Sequence, residues 1–169
     1  MLTQPDFCEA LLDRTSAFWI DFYTGFLGEI GDLVDVVMIG DDLAGQSGPL
    51  FAPTFYRTVV KPRQKKVVQH IKSLTDAKVW YHTCGSCYTY IDDLIDNGVD
   101  ILNPVQIGLP NMSPETLKQE FGDRIVFWGG GVDAQHILPF ESPDTVREHV
   151  RTNVGTFKPG GGYVLNNVH

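Results

Sequence analysis

The chain of 169 residues is short of cysteine, of positive charge and of long apolar runs, and each shortage excludes something. Its three cysteines (Cys8, Cys84, Cys87) are an odd and small set. That is a poor disulfide framework, so reduced thiols and a cytoplasmic setting are expected. Thirteen Lys and Arg against twenty-one Asp and Glu leave a net charge of −8. The one basic run is KPRQKK at 61–66, and a nucleic-acid surface is not expected from it. No apolar run approaches the roughly 18 residues of a membrane span. The opening MLTQPDFCEALLDR has neither a cationic start nor a small-residue cleavage site, so it does not read as a secretory signal. There is no low-complexity stretch and no short repeat. Glycine (17) and proline (10) are plentiful, promising many turns, and 43% hydrophobic residues are enough for one sizeable core.

The apolar pattern alternates between two periods. Residues 5–30 place Phe7, Leu11, Leu12, Phe18, Phe22, Phe26, Leu27 and Ile30 at helical spacing, and VDVVMIGDD at 34–42 reads as a strand. The stretch from Ala52 to Leu74 reads as helix with a kink or early break at Pro62. KVWYHTC at 78–84 reads as a strand and YTYIDDLIDNG as a helix that Gly98 ends. VDILNPVQ at 99–106 and RIVFWGGG at 124–131 are further strands, and GGYVLNNVH closes the chain as the last. Ser113-Pro114 and Ser142-Pro143, each followed by an acidic residue, are helix starts. Buried apolar strands alternating with amphipathic helices predict a parallel sheet with right-handed crossovers.

No glycine-rich phosphate loop follows the first strand, and GGGVDAQ after the fourth lacks the spacing of a dinucleotide site. Instead, reactive residues recur at strand ends: Asp41 and Asp42, His82 and Cys84, Asn103 and Gln106, Asp133, and His169. A (β/α)8 barrel draws its active site from that carboxyl face. Five strands fall short of such a barrel, which typically takes about 250 residues. The expectation is therefore an α/β fold in which residues 1–169 form the C-terminal part of a TIM barrel, with a complete five-stranded open sheet as the plain alternative. Unclosed edges would then pair with a second copy or with missing N-terminal strands.

In YHTCGSC at 81–87, His82 and Cys84 stand two apart on a strand and so share a face. An imidazole nitrogen beside a thiolate suits zinc, and His169, ending another strand, is the candidate third ligand. Cys84 and Cys87 also make a C-x-x-C, so a redox pair, a nucleophile or a merely structural pair stay open. Of Asp41 and Asp42, one should face the pocket and the other away. The inward carboxylate can bind a cation, act as a base or bond backbone amides; a capped turn is the plain alternative. Asn103 and Gln106 are candidates to order a substrate, or Asn103-Pro104 is a turn. His70, His136 and His149 read as helix-surface or loop residues, and Trp80 and Trp128 as core.

The segments DDLAGQSGPLFAPTFYRTVVKPRQK, HTCGSCYTYIDDLIDNGVDILNPVQ, SPETLKQEFGDRIVFWGGGVDAQHILPFESPDTVREHV and GGGYVLNNVH resemble the uroporphyrinogen decarboxylase superfamily. Within it, the chain is more similar to the zinc-dependent, corrinoid-linked methyltransferases. The likeness runs from about residue 34 to the end and implies a (β/α)8 barrel. In the methyltransferase branch a His-x-Cys pair and a cysteine on the last strand hold zinc. His82 and Cys84 match the first two, and His169 falls where the third would stand, which makes the site one negative charge weaker.

The resemblance implies that zinc activates a small thiol to accept a methyl group from a methylcorrinoid carried by a partner protein. Asp41 or Asp42 would shape the pocket with Gln106, and Cys87 would be a bystander. The alternative is a uroporphyrinogen decarboxylase, which works on a tetrapyrrole without metal and leaves His-x-Cys without a role. A third is a non-catalytic barrel that binds a corrinoid or a protein.

Overall fold

Five parallel strands lie side by side in the order in which the chain makes them: β1 (Val36–Gly40), β2 (Lys78–His82), β3 (Ile101–Asn103), β4 (Val126–Trp128) and β5 (Tyr163–Val164). The computed structural model describes residues 3–168. Helix α1 (Pro5–Ile30) precedes β1, and α2 (Lys61–Leu74), α3 (Ile91–Asn97), α4 (Pro114–Phe121) and α5 (Pro143–Phe157) fill the crossovers. Strand order that follows chain order, with a helix in each crossover, is the wall of a (β/α) barrel. The fold is α/β and partial-TIM-barrel-like, as the alternation predicts.

The two faces of the sheet differ as the pleat requires. Val37, Val79, Tyr81, Leu102 and Phe127 turn toward the helices and form the core with Tyr90, Leu94, Leu117 and Phe157. The other face, the inner wall of a barrel, carries Val36, Met38, Trp80, His82, Asn103 and Trp128. Met38 there is 67% exposed. The indoles of Trp80 and Trp128 meet edge to face at 6.3 Å on this wall, rather than in the helix-packed core.

Local signals formed where expected. Ser113 Oγ accepts the Thr116 N–H at 3.2 Å and Ser142 Oγ accepts the Thr145 N–H at 3.2 Å, so both helices start on a satisfied cap. Gly98 ends α3 at φ 101°, a left-handed turn that only glycine takes without strain.

Three expectations need correction. Pro62 does not break its helix: the chain passes from Pro53–Phe55 through a wide turn at Tyr56–Val60 into α2, and Pro62 sits in the first turn of α2, where its missing N–H costs nothing. The strands are shorter than their apolar runs, because pairing stops where the polar ends bend into loops. Of the apolar positions read on α1, Phe7, Leu11, Phe18, Phe22 and Phe26 are exposed, whereas Leu27 is buried together with Cys8 and Tyr23, which lie outside that set. α1 is apolar over more than one side, and α2 covers only one of them. Among the described residues no helix is long and apolar enough to cross a membrane.

Candidate metal centre

β1 and β2 end together, with Gly40 paired to His82. A Cβ on Gly40 would come within 2.6 Å of the His82 carbonyl oxygen and 2.8 Å of His82 Cβ, so the absent side chain lets β1 lie close against the end of β2. Asp42 follows β1 and Cys84 follows β2, and one ligand atom from each of Asp42, His82 and Cys84 lies within 4.8 Å of the others. His82 Nε2 stands 3.4 Å from Cys84 Sγ. His82 Nδ1 lies 2.8 Å from Asn103 Oδ1, and Asn103 Nδ2 donates to the Trp128 carbonyl at 2.8 Å.

A small hairpin, Ala44–Gly45 against Gly48–Pro49, clamps this loop from the β1 side. Asp42 Oδ1 accepts the Cys84 N–H at 3.0 Å, Thr83 Oγ1 accepts the Leu43 N–H at 3.0 Å, and Gly45 O accepts the Ser86 N–H at 2.9 Å. Gln106, buried beside them, accepts the Gly85 N–H at 2.9 Å through Oε1 and donates through Nε2 to Gln46 at 3.1 Å. Gly85 has φ 80°, and a Cβ there would lie 2.5 Å from the carbonyl oxygens of Ala44 and Gly45. Only glycine fits that turn.

Desolvation pushes the Cys84 thiol up to about 11, and the neighbouring Asp42 carboxylate adds to the rise. Without a cation the group is a thiol, which hydrogen-bonds rather than attacks. Oxygen, nitrogen and sulfur donors converging this closely fit a borderline-soft divalent ion such as zinc, whose positive charge reverses the effect of the carboxylate. The donor set is therefore chemically suited to the metal expected from the sequence.

The two adjacent acids divide as strand alternation requires. Asp42 joins the cluster, whereas Asp41 accepts from Gln64 Nε2 at 3.2 Å on the side where Gln64 also donates to Tyr81 Oη at 2.8 Å. Desolvation raises the Asp41 carboxyl, with Gln64 working against it and Asp42 adding to it. Asn103 and Gln106, expected to order a substrate, have their amides engaged by protein groups. Cys87 is fully buried under the loop, and burial pushes its thiol up to about 12. His169, the expected third ligand, lies outside the described residues. His70 Nε2 meets Thr24 Oγ1 at 2.7 Å on the helix surface, and His136 Nδ1 meets Asp133 Oδ2 at 2.9 Å beyond β4.

Sequence reasoning did not single out Gln46 or Thr83 as clamps, nor Asn103 as the partner of His82. The signal for the last was the register: His82 and Asn103 are paired neighbours on β2 and β3.

A solved methyltransferase from Methanosarcina mazei resembles this structure with a TM-score of 0.70 and 22% sequence identity, covering 98% of this chain and 44% of that one. The chain thus spans less than half the length of that relative, and at this identity the likeness speaks to the fold. Comparison with curated proteins gives no significant match. The family model described as "Uroporphyrinogen decarboxylase (URO-D)" matches residues 1–169, and the chain belongs to the uroporphyrinogen decarboxylase family.

Proposed function

We propose that this chain belongs to a zinc-dependent methyltransferase, which passes a methyl group from a methylcorrinoid on a partner protein to the sulfur of a small thiol. The observation that carries the reading is the convergence of Asp42, His82 and Cys84 within 4.8 Å at the carboxyl ends of two adjacent strands. His82, Cys84 and Asp42 would hold the ion, with His169 the remaining candidate. A bound zinc supplies the Lewis acidity that keeps a thiol substrate ionised near neutral pH. The protein's own part is positional. Asn103 orients His82, and the Gln46–Gln106 pair with Asp42 fixes the loop that carries Cys84. The small, odd set of three cysteines suits a cytoplasmic setting. The methyltransferase title of the structural relative points the same way. Tetrapyrrole decarboxylation is favoured by the family name, but it leaves the three-donor cluster without work.

The test is zinc per chain by elemental analysis of protein purified without chelator, with Cys84→Ser, His82→Ala and His169→Ala alongside. Near-stoichiometric zinc in the wild type, lost in the Cys84 and His82 variants, is expected. Methyl transfer from methylcobalamin to small thiols by the complete protein should then be lost with the metal. Zinc-free wild type, or decarboxylation of uroporphyrinogen in place of methyl transfer, would sink the reading.

A further inference from the structure

Asn103 is 3% exposed and sits beside His82 in the sheet. Its amide nitrogen lies 2.8 Å from the Trp128 carbonyl oxygen. A carbonyl oxygen only accepts, so the NH2 end must face it; the reverse orientation would press two oxygens together at that distance. The other end of the amide, Oδ1, only accepts in its turn, and it lies 2.8 Å from His82 Nδ1. The proton of the neutral ring is therefore on Nδ1, and the lone pair is on Nε2, which faces Cys84 Sγ at 3.4 Å.

We infer that Asn103 is a positioning residue that selects the Nδ1–H tautomer of His82 and so presents the Nε2 lone pair to the Asp42–Cys84 cluster. It touches neither thiol nor metal. It acts by carrying the polarity of a fixed main-chain carbonyl on β4 across β3 to a side chain on β2. The amide meets both neighbours at once: its donor end anchors it on the Trp128 carbonyl, and its acceptor end sets the His82 ring. Aspartate offers the acceptor alone, and an apolar residue offers neither. Trp80 packs beside the ring, its indole lying 5.9 Å from the imidazole. The value of the tautomer rests on the metal reading above, since a metal takes the lone-pair nitrogen; the tautomer itself does not.

The experiment reads the ring directly. The intact, metal-free protein is labelled with 15N-histidine, and two-bond 1H–15N correlation spectra are recorded at a pH where the imidazole is neutral. His82→Gln identifies the signal. The expected wild-type pattern is a protonated Nδ1 and an unprotonated Nε2, whereas Nε2–H would overturn the inference without any further variant. Asn103→Leu should move the population toward Nε2–H and weaken zinc binding about 10- to 100-fold in chelator competition. Asn103→Asp should restore Nδ1–H, because the acceptor is kept. An Asn103→Leu spectrum that stays Nδ1–H would overturn the role of Asn103. A protein with the expected tautomer that binds no zinc would sink the metal reading and leave this inference standing.

Discussion

Asp42 Oδ1 accepts the backbone N–H of Cys84 at 3.0 Å, so the carboxylate that follows the first strand is fastened to the thiol-bearing loop of the second. The same carboxylate holds the loop and faces the sulfur and imidazole donors. It thus serves as a structural tie and as a candidate ligand, and the two roles separate on mutation.

Asp42→Asn keeps an acceptor for the Cys84 N–H and removes the charge. The metal-free protein should melt within about 2 °C of the wild type, a change below roughly 1 kcal/mol for a chain of this size. Zinc affinity should fall at least about tenfold. Calorimetry and chelator competition check the two halves. Unchanged affinity would remove Asp42 from the ligand set.

Gly85→Ala forces a Cβ onto a left-handed residue crowded by the Ala44 and Gly45 carbonyls. The expected cost is about 1–3 kcal/mol in urea unfolding, with weaker zinc retention because the loop must shift. Gly25→Ala, where a Cβ meets open space in the middle of α1, is the control and should be neutral or stabilising by about 1 kcal/mol.

Asp93 is a buried carboxylate that Arg57 Nε reaches at 2.9 Å and Lys61 Nζ at 2.8 Å, tying α3 to the beginning of the wide turn and the start of α2. Asp93→Ala leaves both cations without this partner, though Arg57 remains half in water. A loss of about 2–3 kcal/mol is expected in chemical denaturation. A loss below about 0.5 kcal/mol would show that water replaces the carboxylate at little cost.

Asp133 Oδ1 accepts the N–H groups of Gln135 and His136, and Oδ2 meets His136 Nδ1. These bonds hold its carboxyl below the usual value against the desolvation that works the other way. A depressed folded value means that the stability is present above the unfolded value, about 3.9, and lost as the pH falls through the folded one. Asp133→Asn should therefore be less stable than wild type near neutral pH by about 1–3 kcal/mol, with the gap narrowing below about pH 4. Melting curves across pH check this, and a gap that does not narrow in acid would remove the charge from the explanation.

The alternation of strands and helices, the caps at Ser113 and Ser142, the turn at Gly98 and the shared face of His82 and Cys84 were all legible in the sequence. Each depends on neighbours within a few residues, where the backbone period of two or 3.6 sets the geometry. The aromatic stripe of α1 was legible as helix but not as to its side. Several of its faces are apolar, and only the placement of α2 decides that Tyr23 and Leu27 are covered while Phe18 and Phe22 are not.

The residues alone determined that a barrel-like α/β sheet would carry a histidine and a thiol together at its carboxyl edge. Tertiary structure decided the remaining members of the cluster. That Asp42 and not Asp41 faces the sulfur depends on how β1 lies against β2, and that Asn103 reads the Trp128 carbonyl and sets His82 depends on the register of three strands. Those partners are 21 to 42 residues apart in the chain, so no local period links them. Hydrogen bonds across separate strands depend on the register of those strands, which the packing of the whole sheet sets.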